Sequence, residues 1–169
     1  MLSDAPTDFV TVAPSASNVV YFAEYGELLR SNDFGAHWGR VYASASAPRR
    51  GQLAIDPANP DILYFEEPEG VFKLVVGHSR PTLVLKAPPG QSDAAIAVDP
   101  RNGRVFAARR GQIYSSTNGG ATWRRSRGLP PSAEVQDLEV SPRGPAYVSI
   151  TDHGVFRTTD GRRWRSSNR

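Results

Sequence analysis

The 169-residue chain has no cysteine, which excludes a disulfide framework, a thiolate nucleophile and any metal site built on cysteine. It also lacks an apolar run near the roughly 20 residues that span a bilayer, and no stretch repeats apolar residues with the period of a helix. Residues 1–4 lack the basic and apolar regions of a signal peptide. We therefore expect no membrane span, and a cytoplasmic location if Met1 is the natural start; the compartment is otherwise left open.

Lysine is scarce as well, because 18 of the 20 basic residues are arginine. Residues 1–88 carry 7 basic and 10 acidic side chains, whereas residues 89–169 carry 13 and 7. Several arginines fall on or beside the predicted outer strands of the last two repeats: Arg124, Arg125, Arg127, Arg162, Arg163, Arg165 and Arg169. We interpret them as charges that discourage strand pairing at exposed edges, and we do not expect nucleic acid as a partner.

The chain does contain a repeat with a period of about 42 residues. Four short apolar triplets, at residues 10–12, 53–55, 96–98 and 138–140, are each followed by a proline, and these prolines lie 43, 43 and 42 residues apart. The last residue of each predicted third strand recurs with the same period. These residues are Arg30, Lys73, Ser115 and Arg157. With 15 glycines and 14 prolines for tight turns, this pattern predicts an all-β fold, a β-propeller of four four-stranded blades.

We expect one propeller domain over residues 1–169, with blades at approximately 8–47, 51–88, 94–128 and 136–169. The third repeat shows the order of strands most clearly. Residues 96–98, 104–108 and 112–116 form three predicted strands, and a hairpin at 116–123 leads to the fourth. The sequence leaves open whether these blades form a closed four-bladed ring, half of a larger ring, or a fragment of a longer repeat protein.

Three of the four hairpins share the pattern Ser/Thr-x-Asp-x-Gly-x-Thr-Trp, with local substitutions. The matching residues are Ser31, Asp33, Gly35 and Trp38 in blade one, Ser116, Asn118, Gly120 and Trp123 in blade three, and Thr158, Asp160 and Trp164 in blade four. Blade two lacks the pattern. The motif resembles the Asp box, or bacterial neuraminidase repeat, of sialidases, sortilin-type receptors, xyloglucanase-like glycosidases and photosystem II assembly factors.

The residues of this motif have a structural explanation that needs no ligand. A short Asp or Asn side chain accepts hydrogen bonds from backbone N–H groups of its own turn, and glycine tolerates a positive φ. The tryptophan then covers the hairpin. We therefore predict that the motif stabilises the turns and takes no part in catalysis.

The opposite rim, formed by the loops between second and third strands, is the predicted binding surface, since loops on a rigid scaffold commonly carry function. The candidate residues are Glu24, Tyr25, Glu66, Glu67, Arg109, Arg110, Asp152 and His153. We predict a non-catalytic module that binds a protein or a glycan there. The alternative is a fragment or relative of a sialidase- or xyloglucanase-like glycoside hydrolase, as the resemblance implies.

No cofactor or metal is expected, because the three histidines have no ligand spacing and no phosphate-binding loop is present. The chain begins at a first strand and ends just after a fourth strand, so no strand exchange between the ends is predicted to close the ring. Two chains could complete an eight-bladed ring by packing blade one of each against blade four of the other. A homodimer is therefore one predicted partner arrangement.

Overall fold

The computed structural model describes residues 9–24, 26–44, 53–86, 95–109, 111–131 and 133–168. Over these ranges it contains sixteen strands and no helix. The strands form four antiparallel sheets of four strands, and neighbours in each sheet follow one another along the chain. The predicted all-β propeller architecture with four four-stranded blades is confirmed.

Each blade begins with an apolar strand near the centre and ends with an exposed outer strand. Blade one consists of β1 (Phe9–Ala13), β2 (Ala16–Glu24), β3 (Glu27–Ser31) and β4 (Gly39–Ala43). Blade two consists of β5 (Leu53–Ile55), β6 (Ile62–Glu67), β7 (Gly70–Val75) and β8 (Thr82–Lys86). Although blade two lacks the hairpin motif, its fourth strand still pairs with β7.

The last two blades have much shorter outer strands. Blade three consists of β9 (Ala95–Val98), β10 (Val105–Arg109), β11 (Gln112–Ser116) and β12 (Arg124–Arg125). Blade four consists of β13 (Val135–Val140), β14 (Ala146–Ile150), β15 (Gly154–Thr158) and β16 (Arg165–Ser166). All of the residues in β12 and β16 are exposed.

The hairpin of blade one shows why its residue types are needed. Asp33 Oδ1 accepts a 2.9 Å hydrogen bond from the backbone N–H of His37, and Ser31 Oγ donates to the same carboxylate oxygen. The backbone turns back through Phe34 and Gly35, at φ values of 59° and 90°. Trp38 closes the turn by donating from Nε1 to the carbonyl of Gly35 at 2.9 Å.

Blade three repeats this geometry with an amide in place of the carboxylate. Asn118 Oδ1 accepts from the backbone N–H of Thr122 at 2.9 Å, and Trp123 Nε1 donates to the carbonyl of Gly120 at 3.1 Å. In blade four, Asp160 Oδ1 accepts from the backbone N–H groups of Arg162 and Arg163. An acceptor oxygen at this position therefore stabilises each of the three turns.

Apolar packing joins consecutive blades. One cluster, which includes Tyr21, Leu28 and Phe65, joins blades one and two. A second cluster joins blades two and three, and a third, which contains Phe106 and Trp164, joins blades three and four. Among the described residues, no cluster joins blade four to blade one.

The faces at the two ends of this series remain open to solvent. Val10 of β1 is 65% exposed, and Val12 on the same face of the strand is also exposed. On the far side of blade four, Tyr147 and Val155 are exposed. Large apolar side chains are common on such faces only when another surface covers them.

Hydrogen bonding in the hairpins predicts a dependence of stability on pH. Backbone N–H bonds from the turn hold the pKa of Asp33 and of Asp160 below the usual range. Such groups stabilise the fold above the unfolded-state pKa of about 3.9, and this contribution is lost as pH falls through the folded-state pKa. We expect the Asp33→Asn/Asp160→Asn double variant to fold at pH 7, since Asn118 occupies this position in blade three. Its melting temperature should fall less between pH 5 and pH 3 than that of the wild type; an equal fall would contradict the prediction.

Candidate functional site

The structure places two of the predicted rim residues in the protein interior. Glu66 and Arg109 are 2% and 3% exposed, and they form an ion pair between blades two and three with Arg109 Nη1 at 2.9 Å from Glu66 Oε2. Arg109 also donates to the backbone carbonyls of Glu67 and Pro68. The expectation that these two side chains face a ligand is therefore corrected: they connect two blades.

The other predicted rim residues have different surroundings. Glu67 Oε1 accepts a 2.7 Å hydrogen bond from the hydroxyl of Tyr42, so the side chain connects blades one and two. Asp152 and His153 are exposed in the turn after β14, where Asp152 has a φ of 59°. Glu24 is half-buried at the end of β2. Tyr25 and Arg110 lie outside the described residues.

These positions do not gather into one site among the described residues. Glu67 is engaged at one blade interface, and Glu66 with Arg109 at the next. Asp152 and His153 lie in a turn of blade four, where His153 Nδ1 is 2.8 Å from the backbone oxygen of Thr151. Their role in binding stays a prediction for the exposed members.

A cavity of about 560 Å³ lies between the first strands of all four blades, β1, β5, β9 and β13. Apolar side chains form most of its wall, as expected from the four triplets of the repeat. Within the described residues, Asp137 and Glu139 of β13 are the only lining residues that ionise. The surface that these residues present to the cavity is nevertheless more polar than apolar, and the charged side chains among the described residues all lie on one side.

The two carboxylates have distinct environments. Asp137 Oδ1 accepts a 2.9 Å hydrogen bond from the backbone N–H of Leu138. Burial raises the pKa of Glu139, and the negative charge of Asp137 raises it further. The Glu139 side chain is exposed, so this desolvation is partial.

The sequence distinguishes Glu139 by its position in the fourth apolar triplet, outside the hairpin motif. The other three triplets have Thr11, Ala54 and Ala97 at the middle position, and the fourth has Glu139. A charged side chain in an otherwise uncharged set of equivalent positions needs a local explanation. Here it borders the central cavity, which only the assembled blades reveal.

The described residues contain no group of three histidine or acidic side chains that could hold a metal ion. No helix in the same part of the chain is long and apolar enough to cross a membrane. Both findings concern only the residues that the structure describes.

The fold and the central cavity define a β-propeller protein, and the comparisons agree. No protein-family model matches the chain.

Two curated relatives are both xyloglucanases. The one from Hypocrea jecorina (strain QM6a) is 32% identical over 133 residues, which is 77% of this chain and 15% of the relative. The one from Paenibacillus sp is 29% identical over 167 residues, or 92% of this chain and 14% of the relative. The chain thus spans about one seventh of the curated relatives that it matches.

Solved structures give the same fold. An ancestral GH74 enzyme superposes with a TM-score of 0.74 at 21% identity, over 97% of this chain and 24% of that chain. YCF48 from Cyanidioschyzon merolae superposes with a TM-score of 0.68 at 13% identity, over 100% of this chain and 59% of that chain. At these identities the structures support the propeller fold alone, and the Asp-box assignment stays a prediction.

The buried ion pair between blades two and three generates a stability prediction. Arg109→Met should lower the free energy of unfolding by about 3–5 kcal/mol, because it leaves the Glu66 carboxylate buried without its counter-charge. The double variant Glu66→Leu/Arg109→Met should recover most of this loss, since both charges are removed together. Urea unfolding would measure each value. A single variant that loses less than about 1 kcal/mol would show that the pair contributes little.

Proposed function

We propose that the chain is a propeller segment related to xyloglucanases that binds a polysaccharide and does not hydrolyse it alone. The observation that carries the proposal is the central cavity, with its mainly polar surface and the acidic pair Asp137 and Glu139. Carboxylates are strong acceptors for sugar hydroxyl groups. The similarity to two xyloglucanases supports a glucan as the first ligand to test.

The proposal excludes hydrolysis by the chain alone because of where its carboxylates lie. Glycoside hydrolysis requires two carboxyl groups that flank the scissile bond from different sides. In the described part of the chain, the cavity has carboxylates on β13 alone, and Glu66 is committed to its ion pair with Arg109. Among the residues that the structure describes, the cavity therefore has one acidic side and no opposing carboxylate.

A second candidate function is favoured by the raised pKa of Glu139. A raised pKa makes a carboxyl group better suited to act as a general acid. In that case Glu139 would supply one of the two carboxyl groups of a glycosidase active site, and the other would come from outside the described residues. This candidate predicts turnover, whereas the first predicts binding without turnover.

Glu139→Gln tests both candidates. Isothermal titration calorimetry with a xyloglucan oligosaccharide should show binding to the wild type and at least about a tenfold loss of affinity in the variant, since a charged hydrogen bond contributes about 1.5–3 kcal/mol. Glu134→Gln is the matched control, because Glu134 is exposed and lies outside the cavity lining. Release of reducing sugar by the wild type, lost in Glu139→Gln, would establish the second candidate. No binding by the wild type would overturn the first.

A further inference from the structure

Each blade carries a pair of side chains, side by side on the second and third strands, that faces the next blade. In blade one this pair is Tyr21 and Arg30, which are direct partners across β2 and β3. Tyr21 donates from its hydroxyl to the carbonyl of Pro60 at 2.7 Å, and Arg30 Nη2 lies 2.6 Å from Asp61 Oδ1. Both contacts reach the first turn of blade two. We call such a pair the receiving pair of its blade.

The receiving pair of blade two holds the hairpin of blade three. Tyr64 and Lys73 are partners across β6 and β7, in the same register as Tyr21 and Arg30. A Cβ atom built on Gly119 of the next hairpin would lie 3.4 Å from Tyr64 Oη and 3.2 Å from Lys73 Nζ. The hairpin tip of blade three therefore lies directly on this pair.

Blade three holds the hairpin of blade four in the same way. Phe106 and Ser115 are partners across β10 and β11. Ser115 Oγ donates to the carbonyl of Gly161 at 3.2 Å, and a Cβ atom on Gly161 would lie 3.1 Å from the Phe106 ring. Gly161 follows Asp160 as Gly119 follows Asn118, so equivalent hairpin positions make equivalent contacts.

The receiving pair of blade four has no following blade against it within the described residues. Tyr147 and Arg157 are partners across β14 and β15, and Arg165 of β16 continues the row beside Arg157. Tyr147 is 37% exposed, and both arginines are exposed. Within the described ranges, none of the three side chains has a hydrogen-bond or ion-pair partner. Each earlier receiving pair, by contrast, is in contact with the blade that follows.

The hairpin tip of blade one contacts no preceding blade within the described residues. Phe34 stands at the position of Gly119 and Gly161, directly after Asp33, and its ring is 75% exposed. Its φ of 59° is in the region that favours glycine, so the backbone has the same shape as in the held hairpins. Val10 and Val12 of β1 are exposed on the face that a preceding blade would cover.

We propose that blade four of one copy of this chain receives blade one of a second copy, through the same contact that joins blades two and three. The ring of Phe34 then lies against Tyr147 and the guanidinium of Arg157, an aromatic contact combined with a cation–π contact. The carboxylate of Asp33 faces the arginine pair Arg157 and Arg165. The contact adjoins the proposed glucan site, because Glu139 is the partner of Tyr147 across β13 and β14; it is tested by molar mass alone, without a glucan.

Electrostatic complementarity and available space both favour a second copy of the chain as the partner that covers the face of blade four. Arg157 and Arg165 on the face of blade four have no ion-pair partner among the described residues. The hairpin of blade one presents Asp33, whose carboxylate already contacts the exposed His37, so the two surfaces are complementary in charge when His37 is neutral. A Cβ atom alone at this glycine position would require its neighbours to move by a few tenths of an ångström, and the larger ring of Phe34 requires the receiving side chains to turn aside. Tyr147 and Arg157 are exposed and have room for that movement.

The contact is head-to-tail, so it must be satisfied twice for two chains to close. Two copies joined in this way form one ring of eight blades, in which each blade four receives the other chain's blade one. The expected assembly is a dimer with twice the 18.4 kDa mass of the chain. A head-to-tail contact that did not close would instead give a series of larger species.

Light scattering coupled to size exclusion, over a range of protein concentrations, tests the proposal on the 169-residue chain. The wild type should be a dimer. Phe34→Gly and Arg157→Glu should each raise the dimer dissociation constant at least tenfold, while Lys86→Glu should leave it unchanged. Lys86 is the matched control for charge reversal, since it is exposed on the outer strand of blade two. Phe34→Gly keeps the fold, because glycine is the residue that two other hairpins have at this position and φ.

Several results would overturn the proposal. A wild type that stays monomeric at every concentration, or that forms a series of larger species, would show that the two ends do not close on each other. A dimer equally stable in Phe34→Gly, Arg157→Glu and Lys86→Glu would place the contact elsewhere. A dimer strengthened by Phe34→Gly would show that Phe34 obstructs the approach of a second blade. Circular dichroism of each variant checks that a change in mass does not come from unfolding.

Discussion

Every sheet has two apolar faces that must be covered, and the rest of the structure depends on this constraint. A four-stranded sheet of about 40 residues has too small a core to fold alone, so each blade is stabilised mainly by its neighbours. Tyr21, Tyr64 and Phe106 make this dependence visible, because each crosses from its own blade to the turn or hairpin of the next. The buried pair Glu66 and Arg109 belongs to the same system and fixes the register of two blades at the opposite rim.

The same constraint explains why side chains are exposed on the outer faces of blades one and four. Inner blades bury both faces, whereas blades one and four each bury one. Stability in such an array is a sum over blades and over the contacts between neighbours, so the terminal blades are held least firmly. The exposure of Tyr147 and Val10 follows from position in the array rather than from any weakness in the local sequence.

Much of the fold was predictable from the sequence because local chemistry determines it. The period of about 42 residues, the triplets and the turn residues predicted four blades with four strands each, and the structure confirms them. The partners of Glu66 and Arg109 were not predictable, since an ion pair across two blades joins residues 43 positions apart. The same limit applies to Glu139, which is an ordinary strand residue until four first strands meet around one cavity. Contacts between blades depend on the tertiary structure, and the sequence of a single repeat does not predict them.

The length of the outer strands affects how the chain behaves at high concentration. A strand edge with free N–H and C=O groups can template the addition of a foreign strand, and short or charged edges prevent this. In blades three and four the outer strands are two residues long and arginine-rich. In blade two the outer strand β8 is five residues long and reads Thr-Leu-Val-Leu-Lys, with one charge at its end. Blade one has an outer strand of the same length, also with one charged residue. Blades one and two therefore present the edges at which β-sheet aggregation of this protein would begin, because the outer strands of blades three and four are too short to template a foreign strand.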